Sequence, residues 1–113
     1  MKKKDEKRIR LKKKIRAKIF GTTECPRLSV FRSNKFIYAQ VIDDQKRKTL
    51  VQSSDIKIKK GTKIERAKEV GKMIAGACKE IKISKVVFDR NGFKYTGRIK
   101  LVADEARVAG LKF

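Results

Sequence analysis

Thr62-Lys63-Ile64-Glu65-Arg66-Ala67-Lys68-Glu69-Val70-Gly71-Lys72-Met73-Ile74-Ala75-Gly76-Ala77-Cys78-Lys79-Glu80-Ile81 is the stretch on which the fold turns. Ile64, Ala67, Val70, Gly71, Ile74, Ala75, Cys78 and Ile81 recur at the three- and four-residue spacing that lines one face of a helix. Thr62 and Glu65 have the spacing of a capping box, which would satisfy two exposed amides at the helix start. The small residues Ala67, Gly71 and Ala75 suit close packing on a sheet, so the stripe is core and no chemistry is assigned to it. Immediately afterwards, Lys85 to Asp89 reads as a short strand. A helix between two strands favours a parallel return with a right-handed crossover, most simply beside the first strand.

Upstream, Arg27 to Arg32 alternates, with Leu28 and Val30 on one face and Arg27, Ser29 and Phe31 on the other. Ser33-Asn34-Lys35 turns the chain into a second strand, Phe36 to Ile42, and the polar run Asp43 to Lys48 leads to a third, Thr49 to Ser53. Three strands with short links form an antiparallel meander. Residues 54–61 are polar linker. Downstream, Leu101, Val102, Glu105, Val108 and Ala109 suggest a helix from about Ile99 to Ala109, stopped by Gly110, with Leu111 and Phe113 docking back. The expected fold class is α/β. It has a mixed sheet of about four strands, a three-stranded antiparallel meander plus one parallel strand, packed with two helices and preceded by a basic helical arm.

Two segments are expected, an arm over 1–20 and a single α/β domain over 21–113. The arm carries eleven cations against Asp5 and Glu6, and Leu11, Ile15 and Ile19 give it one narrow apolar edge. So little apolar surface does not fold alone, which predicts an arm that is mobile when free and helical against a polyanion. A solubilising tail or a membrane-surface helix are the alternatives, the latter disfavoured by the narrow apolar face and the absence of Trp.

Composition points the same way. Lys and Arg outnumber Asp and Glu by 33 to 12, a net charge of +21 on 113 residues, while 40% of the chain is apolar and supplies a core. Such a charge repels itself in the compact state and calls for a polyanionic partner, RNA before DNA before an anionic membrane. No apolar run approaches bilayer-spanning length and no signal-like apolar core occurs in the first 30 residues, so a cytoplasmic protein is expected. Cys25 and Cys78 stand far apart without any histidine, so neither a metal nor another cofactor is expected, and Cys78 reads as a small core residue. No small-molecule substrate is expected either.

The candidate site follows the last strand. Asp89-Arg90-Asn91-Gly92 must turn, and the loop that continues to Arg98 interleaves Arg90, Lys94 and Arg98 with Phe93, Tyr95 and two glycines. Cations neutralise phosphates, an aromatic face stacks on an unpaired base or a ribose, and glycine admits backbone N–H groups to close approach. The competing reading is a solvated basic loop with Phe93 turned inward.

Four blocks of the chain resemble one family. They are the arm around Arg8-Ile9-Arg10, Pro26 to Lys35 leading into Ile37 to Asp44, Val87-Phe88-Asp89-Arg90 with Gly92 and Tyr95-x-Gly97-Arg98, and the tail Ala103-Asp104-x-Ala106-Arg107-x-Ala109-Gly110-Leu111. In this order and spacing they resemble the bacterial-type large-subunit ribosomal proteins that bind 5S ribosomal RNA, eighteenth in the large-subunit series. The resemblance implies a structural role, with 5S rRNA, 23S rRNA and neighbouring large-subunit proteins as partners in the central protuberance. It carries RNA contact onto Arg8 and Arg10 of the arm, joined by Lys12, Lys13 and Arg16. It carries the same role onto Arg27, Arg32, Ser33 and Asn34 of the first strand and its turn, and onto Arg90, Gly92, Tyr95, Gly97 and Arg98 of the loop, with Lys35, Asn91, Lys94 and Thr96 expected as further contacts beside them. Asn91 stands where many members have glycine, and Thr96 where histidine is common.

Rivals from other classes are weaker. A metal-dependent nuclease needs several converging carboxylates. Asp89 ends a strand, but the first strand offers no acid beside it, and Asp43 and Asp44 suit turn capping. A sequence-tolerant basic nucleic-acid binder or RNA chaperone-like protein needs charge alone, and the aromatic–cation loop argues for more than that.

Overall fold

The computed structural model describes residues 3–113, with side chains from Asp5 onward. Seven elements follow in order: α1 (Lys3–Arg16), β1 (Arg27–Arg32), β2 (Ile37–Asp43), β3 (Lys48–Ser54), α2 (Lys63–Glu80), β4 (Val87–Asp89) and α3 (Gly97–Val108). The strands form one mixed sheet in the order β3-β2-β1-β4, with β1 antiparallel to β2 and parallel to β4. This is the meander-plus-crossover arrangement that the position of the α2 stripe predicts.

Alternation decides which face of the sheet is covered. Leu28 and Val30 of β1 pair with Val41 and Ala39 of β2, and all four are fully buried together with Ile37. α2 and α3 close this face with Ala67, Val70, Ile74, Ala75, Cys78, Ile99, Val102 and Ala106. The β2–β3 register slips between Val41 and Ile42, leaving Leu50 as the extra residue of a bulge.

Thr62 accepts a hydrogen bond from the Glu65 amide at 3.2 Å, one half of the expected capping box. Gly71 marks the close crossing of the two helices. A Cβ there would stand 2.6 Å from the Val102 carbonyl oxygen. Ile64 and Ile81, read as part of the buried stripe, are instead exposed. Ile64 lies in the first turn of α2 and Ile81 is its C-cap, so both flank the buried face, which runs from Ala67 to Cys78.

α3 begins two residues before the expected start, and its buried face is Ile99, Val102, Ala103 and Ala106, while Val108 points to solvent. It ends in a Schellman motif, in which the Gly110 amide donates to Arg107 and the Leu111 amide to Ala106, with Gly110 at φ +110°. Leu111 is then buried and Phe113 stacks on Phe88 with centroids 5.6 Å apart. β4 is shorter than its Lys85–Asp89 reading, because Lys85 bridges in parallel to Lys112 of the tail rather than to β1.

A candidate nucleic-acid interface

Three segments far apart in sequence meet at one end of the sheet. α1 supplies Lys7, Arg8 and Leu11, the β1–β2 turn supplies Phe31, Arg32, Ser33 and Asn34, and the β4–α3 loop supplies Gly92, Phe93, Lys94, Thr96, Gly97 and Arg98. Together with Asp5 they line an open groove of about 1160 Å³. Its walls hold five cations against one carboxylate, so its field is strongly positive.

Local chemistry explains why the loop turns here. Asp89, fully buried at the end of β4, accepts from the Asn91 amide at 2.9 Å. Asn91 at φ +52° and Gly92 at φ +77° reverse the chain, and the Asn91 side chain donates to the Val30 carbonyl and to the Ser29 hydroxyl. Asn tolerates left-handed geometry, so it can hold this turn without glycine. A Cβ on Gly92 would collide with the Arg8 carbonyl, and the Arg8 guanidinium donates to the Asn91 carbonyl at 3.0 Å. The loop and the arm are therefore fitted to one another.

An aromatic floor lies beneath the cations. Phe31 and Phe93 meet edge-on at 5.4 Å, Arg8 sits 4.8 Å from the Phe93 centroid and 5.7 Å from that of Phe31, and Arg32 sits 5.3 Å from Phe93. Cation–π attraction offsets part of the repulsion among the guanidinium groups. Arg98 donates to the Ser33 carbonyl at 2.9 Å, while its Nη1 is buried without a hydrogen-bond partner. Burial, together with the positive charges of Arg32 and Arg66, lowers its pKa. An anion entering the groove relieves that repulsion.

Arg8, Arg32, Ser33, Asn34, Gly92, Lys94, Thr96, Gly97 and Arg98 are thus brought together. Arg10, Lys12, Lys13 and Lys35 are exposed outside the groove. Arg90 is half-buried outside it, and Tyr95 is turned inward, its ring edge-on to Phe88 and its hydroxyl accepting from Arg107 at 2.8 Å. Thr96 precedes α3 without capping it through its side chain. Ile19 lies beyond the end of α1, and the half-buried edge of the helix is Ile9, Leu11 and Ile15.

Arg27, Arg16 and Asn91 face the protein rather than the groove. Arg27 donates to both oxygens of Asp44, at 3.0 and 3.1 Å, and to Asp89 at 2.7 Å, with its side chain only 11% exposed. Burial opposes its charge, but bonding and attraction from Asp44 and Asp89 prevail and raise its pKa. Asp44 is held below the usual carboxylate range, chiefly by the Arg27 hydrogen bond and further by the Gly21 amide, against the opposing effect of burial. Asp43 caps the β2–β3 turn by accepting from the Gln45 and Lys46 amides. Asp89 and Asp44 are therefore consumed by Arg27, and among the described residues no group of acids, cysteines and histidines is arranged to hold a metal ion.

Phe31, Lys7, Asp5 and Leu11 line the groove although no site role attaches to them in the sequence. For Phe31 a signal exists, since alternation puts a large aromatic on the uncovered side of β1. For the arm residues none does, because their place depends on a contact between the α1 backbone and Gly92, 80 positions downstream of Lys12.

The chain is similar to known proteins over nearly its whole length. The family model for ribosomal L18 of archaea, bacteria, mitochondria and chloroplasts matches residues 2–113. The large ribosomal subunit protein uL18 of Thermotoga neapolitana is 54% identical over 115 residues, spanning 96% of this chain and 94% of that protein. That of Pseudothermotoga lettingae is 54% identical over 121 residues, spanning 100% and 99%. That of Bacteroides thetaiotaomicron is 54% identical over 109 residues, spanning 96% of each.

Proposed function

The chain belongs to the ribosomal L18 family, and from that membership and the groove we propose that it binds 5S rRNA and helps attach it to 23S rRNA in the large subunit. It is a structural constituent of the large ribosomal subunit, not an enzyme. The observation that carries the finer reading is the convergence of arm, turn and loop on one positive, aromatic-floored groove.

Arg8, Arg32 and Arg98 are the specificity-bearing cations, because a planar guanidinium pairs bidentately with phosphate and stacks on a base. Asn34 and Thr96 present amide and hydroxyl groups at the same rim, suited to riboses and phosphates, while the Ser33 hydroxyl is taken up by the Phe36 backbone and shapes the turn. The exposed Arg10, Lys12, Lys13 and Lys35 add affinity that depends on charge more than on sequence. Residues 1–20 act as an RNA-binding arm on a domain spanning 21–113. Neighbouring large-subunit proteins complete the surroundings.

Affinity for 5S rRNA, measured against transfer RNA and duplex DNA of matched length over a salt series, tests this reading. All three should weaken steeply with salt through counterion release. A preference for 5S rRNA of about a hundredfold at moderate salt, roughly 3 kcal/mol, is the expected result. Equal affinity for all three would reduce the protein to a sequence-tolerant basic binder.

A further inference from the structure

A chain of hydrogen bonds, most of them charge-assisted, runs beneath the groove and reaches it at Arg8. At one end, Arg16 of α1 donates to the Ile19 carbonyl at 2.9 Å and pairs with Asp44 at 3.5 Å, and the Gly21 amide donates to Asp44 at 2.7 Å. The Asp44 amide returns the bond to the Gly21 carbonyl at 3.0 Å. Gly21 is locked there, since a Cβ would stand 2.5 Å from the Arg27 nitrogen and 2.6 Å from the Ile42 carbonyl oxygen. Arg27 then links Asp44 to Asp89, Asp89 holds the Asn91 amide, and the Asn91 carbonyl accepts from Arg8. Both the exit of the arm and the point where its middle rests on the loop thus refer to the same guanidinium.

We propose that Arg27 is a positioning residue for RNA binding: by bridging Asp44 and Asp89 it fixes α1 against the β4–α3 loop, so that Arg8 and the loop cations present one surface. The proposal rests on the RNA-binding reading above. Arg27 itself is only 11% exposed and its guanidinium is engaged by Asp44 and Asp89, so it acts through the groups it positions. A guanidinium suits the task because its fork reaches two carboxylates at once, which a lysine ammonium on a single point does not match.

The two acids make the idea testable through a sign. Removing a negative charge from a protein that binds a polyanion strengthens binding if charge alone matters. Positioning predicts the opposite. In the full chain, Asp44→Asn should weaken 5S rRNA binding by about fivefold at moderate salt, the size of a typical coupling within one network. The loss should shrink in the Arg8→Ala background, because the cation being positioned is then already gone. Arg27→Lys should bind as poorly as Arg27→Ala, although the first keeps the charge.

Circular dichroism at the binding temperature tests whether each variant is folded. If Asp44→Asn does not fold, Asp44→Glu keeps the charge and displaces the carboxylate by one methylene, and it should show the same loss and the same coupling to Arg8. Tighter or unchanged binding by a folded Asp44 variant, full additivity with Arg8→Ala, or rescue by Arg27→Lys would each overturn the proposal. Failure of wild-type protein to prefer 5S rRNA would instead strike the RNA reading itself, so the two failures are distinguishable.

Discussion

The two ends of β1 live under different physics. Leu28 and Val30 lie in an apolar layer where the sheet, α2 and α3 satisfy one another completely. Phe31 and Arg32, one step further along the same strand, enter a groove where like charges crowd and a buried Arg98 nitrogen has no partner. The first region is stabilised by what the chain itself provides. The second is held by aromatic faces and backbone carbonyls that leave its positive charge uncancelled. Stability and recognition are therefore separable in this molecule, and substitutions in the two regions should have opposite signatures.

The largest expected effect tests that separation from the core side. Ile74→Ala removes a fully buried side chain between the sheet and α2, and should cost about 2–5 kcal/mol of unfolding free energy in a denaturant titration. The folded fraction should bind RNA as the wild type does. A loss of intrinsic affinity comparable to the loss of stability would break the separation.

From the other side, Arg32→Gln removes an exposed cation from the groove and one source of repulsion on Arg98. It should weaken 5S rRNA binding by roughly tenfold, the scale of one charge-assisted phosphate contact. Its melting temperature should stay unchanged or rise slightly. A clear drop in melting temperature would mean that the groove cations hold the fold together.

The smallest effect concerns pH. Asp44 has its pKa depressed in the folded protein, so its contribution is fully present above the ordinary carboxylate range and disappears as pH falls through the lower folded value. Asp44→Asn should therefore flatten the acid limb of the stability profile below about pH 4. No histidine is present, and Cys78 is pushed up to about 11 by burial, so neither an imidazole nor the Cys78 thiol supplies a switch between pH 6 and 8. Stability and RNA affinity should be flat there. A transition near neutrality would need a group not accounted for.

How far the sequence could be read follows the same division. Strand order, the parallel return and the Gly110 stop were legible because each rests on local pattern: period two in β1, the α2 stripe, a glycine where φ must be positive. Ile64, Ile81 and Val108 misled because periodicity reports which face of a helix is apolar and not how far its covering extends. Part of the groove was legible in residue types, through the loop that holds Gly92 and Arg98, while Arg8, Arg32 and Asn34 were expected only from the family resemblance. Which cations are free was not legible. Arg27 and Arg32 end the same strand and look equivalent, yet only the folded chain brings Asp44 and Asp89 to Arg27. Tyr95 likewise reads as a stacking platform until Phe88 and Arg107 claim it.

The central claim is that the shape of the groove, and not the net charge of +21, selects the RNA. Two triple variants with the same loss of charge test it directly. One is Arg8→Gln, Arg32→Gln and Arg98→Gln in the groove, and the other is Lys68→Gln, Lys72→Gln and Lys79→Gln on the exposed side of α2. The quantity to measure is the ratio of affinities for 5S rRNA and transfer RNA at one salt concentration. The groove variant should lose most of that preference, while the α2 variant should weaken both RNAs alike and keep it. Equal preference in the two variants would contradict the account and leave charge as the whole of recognition.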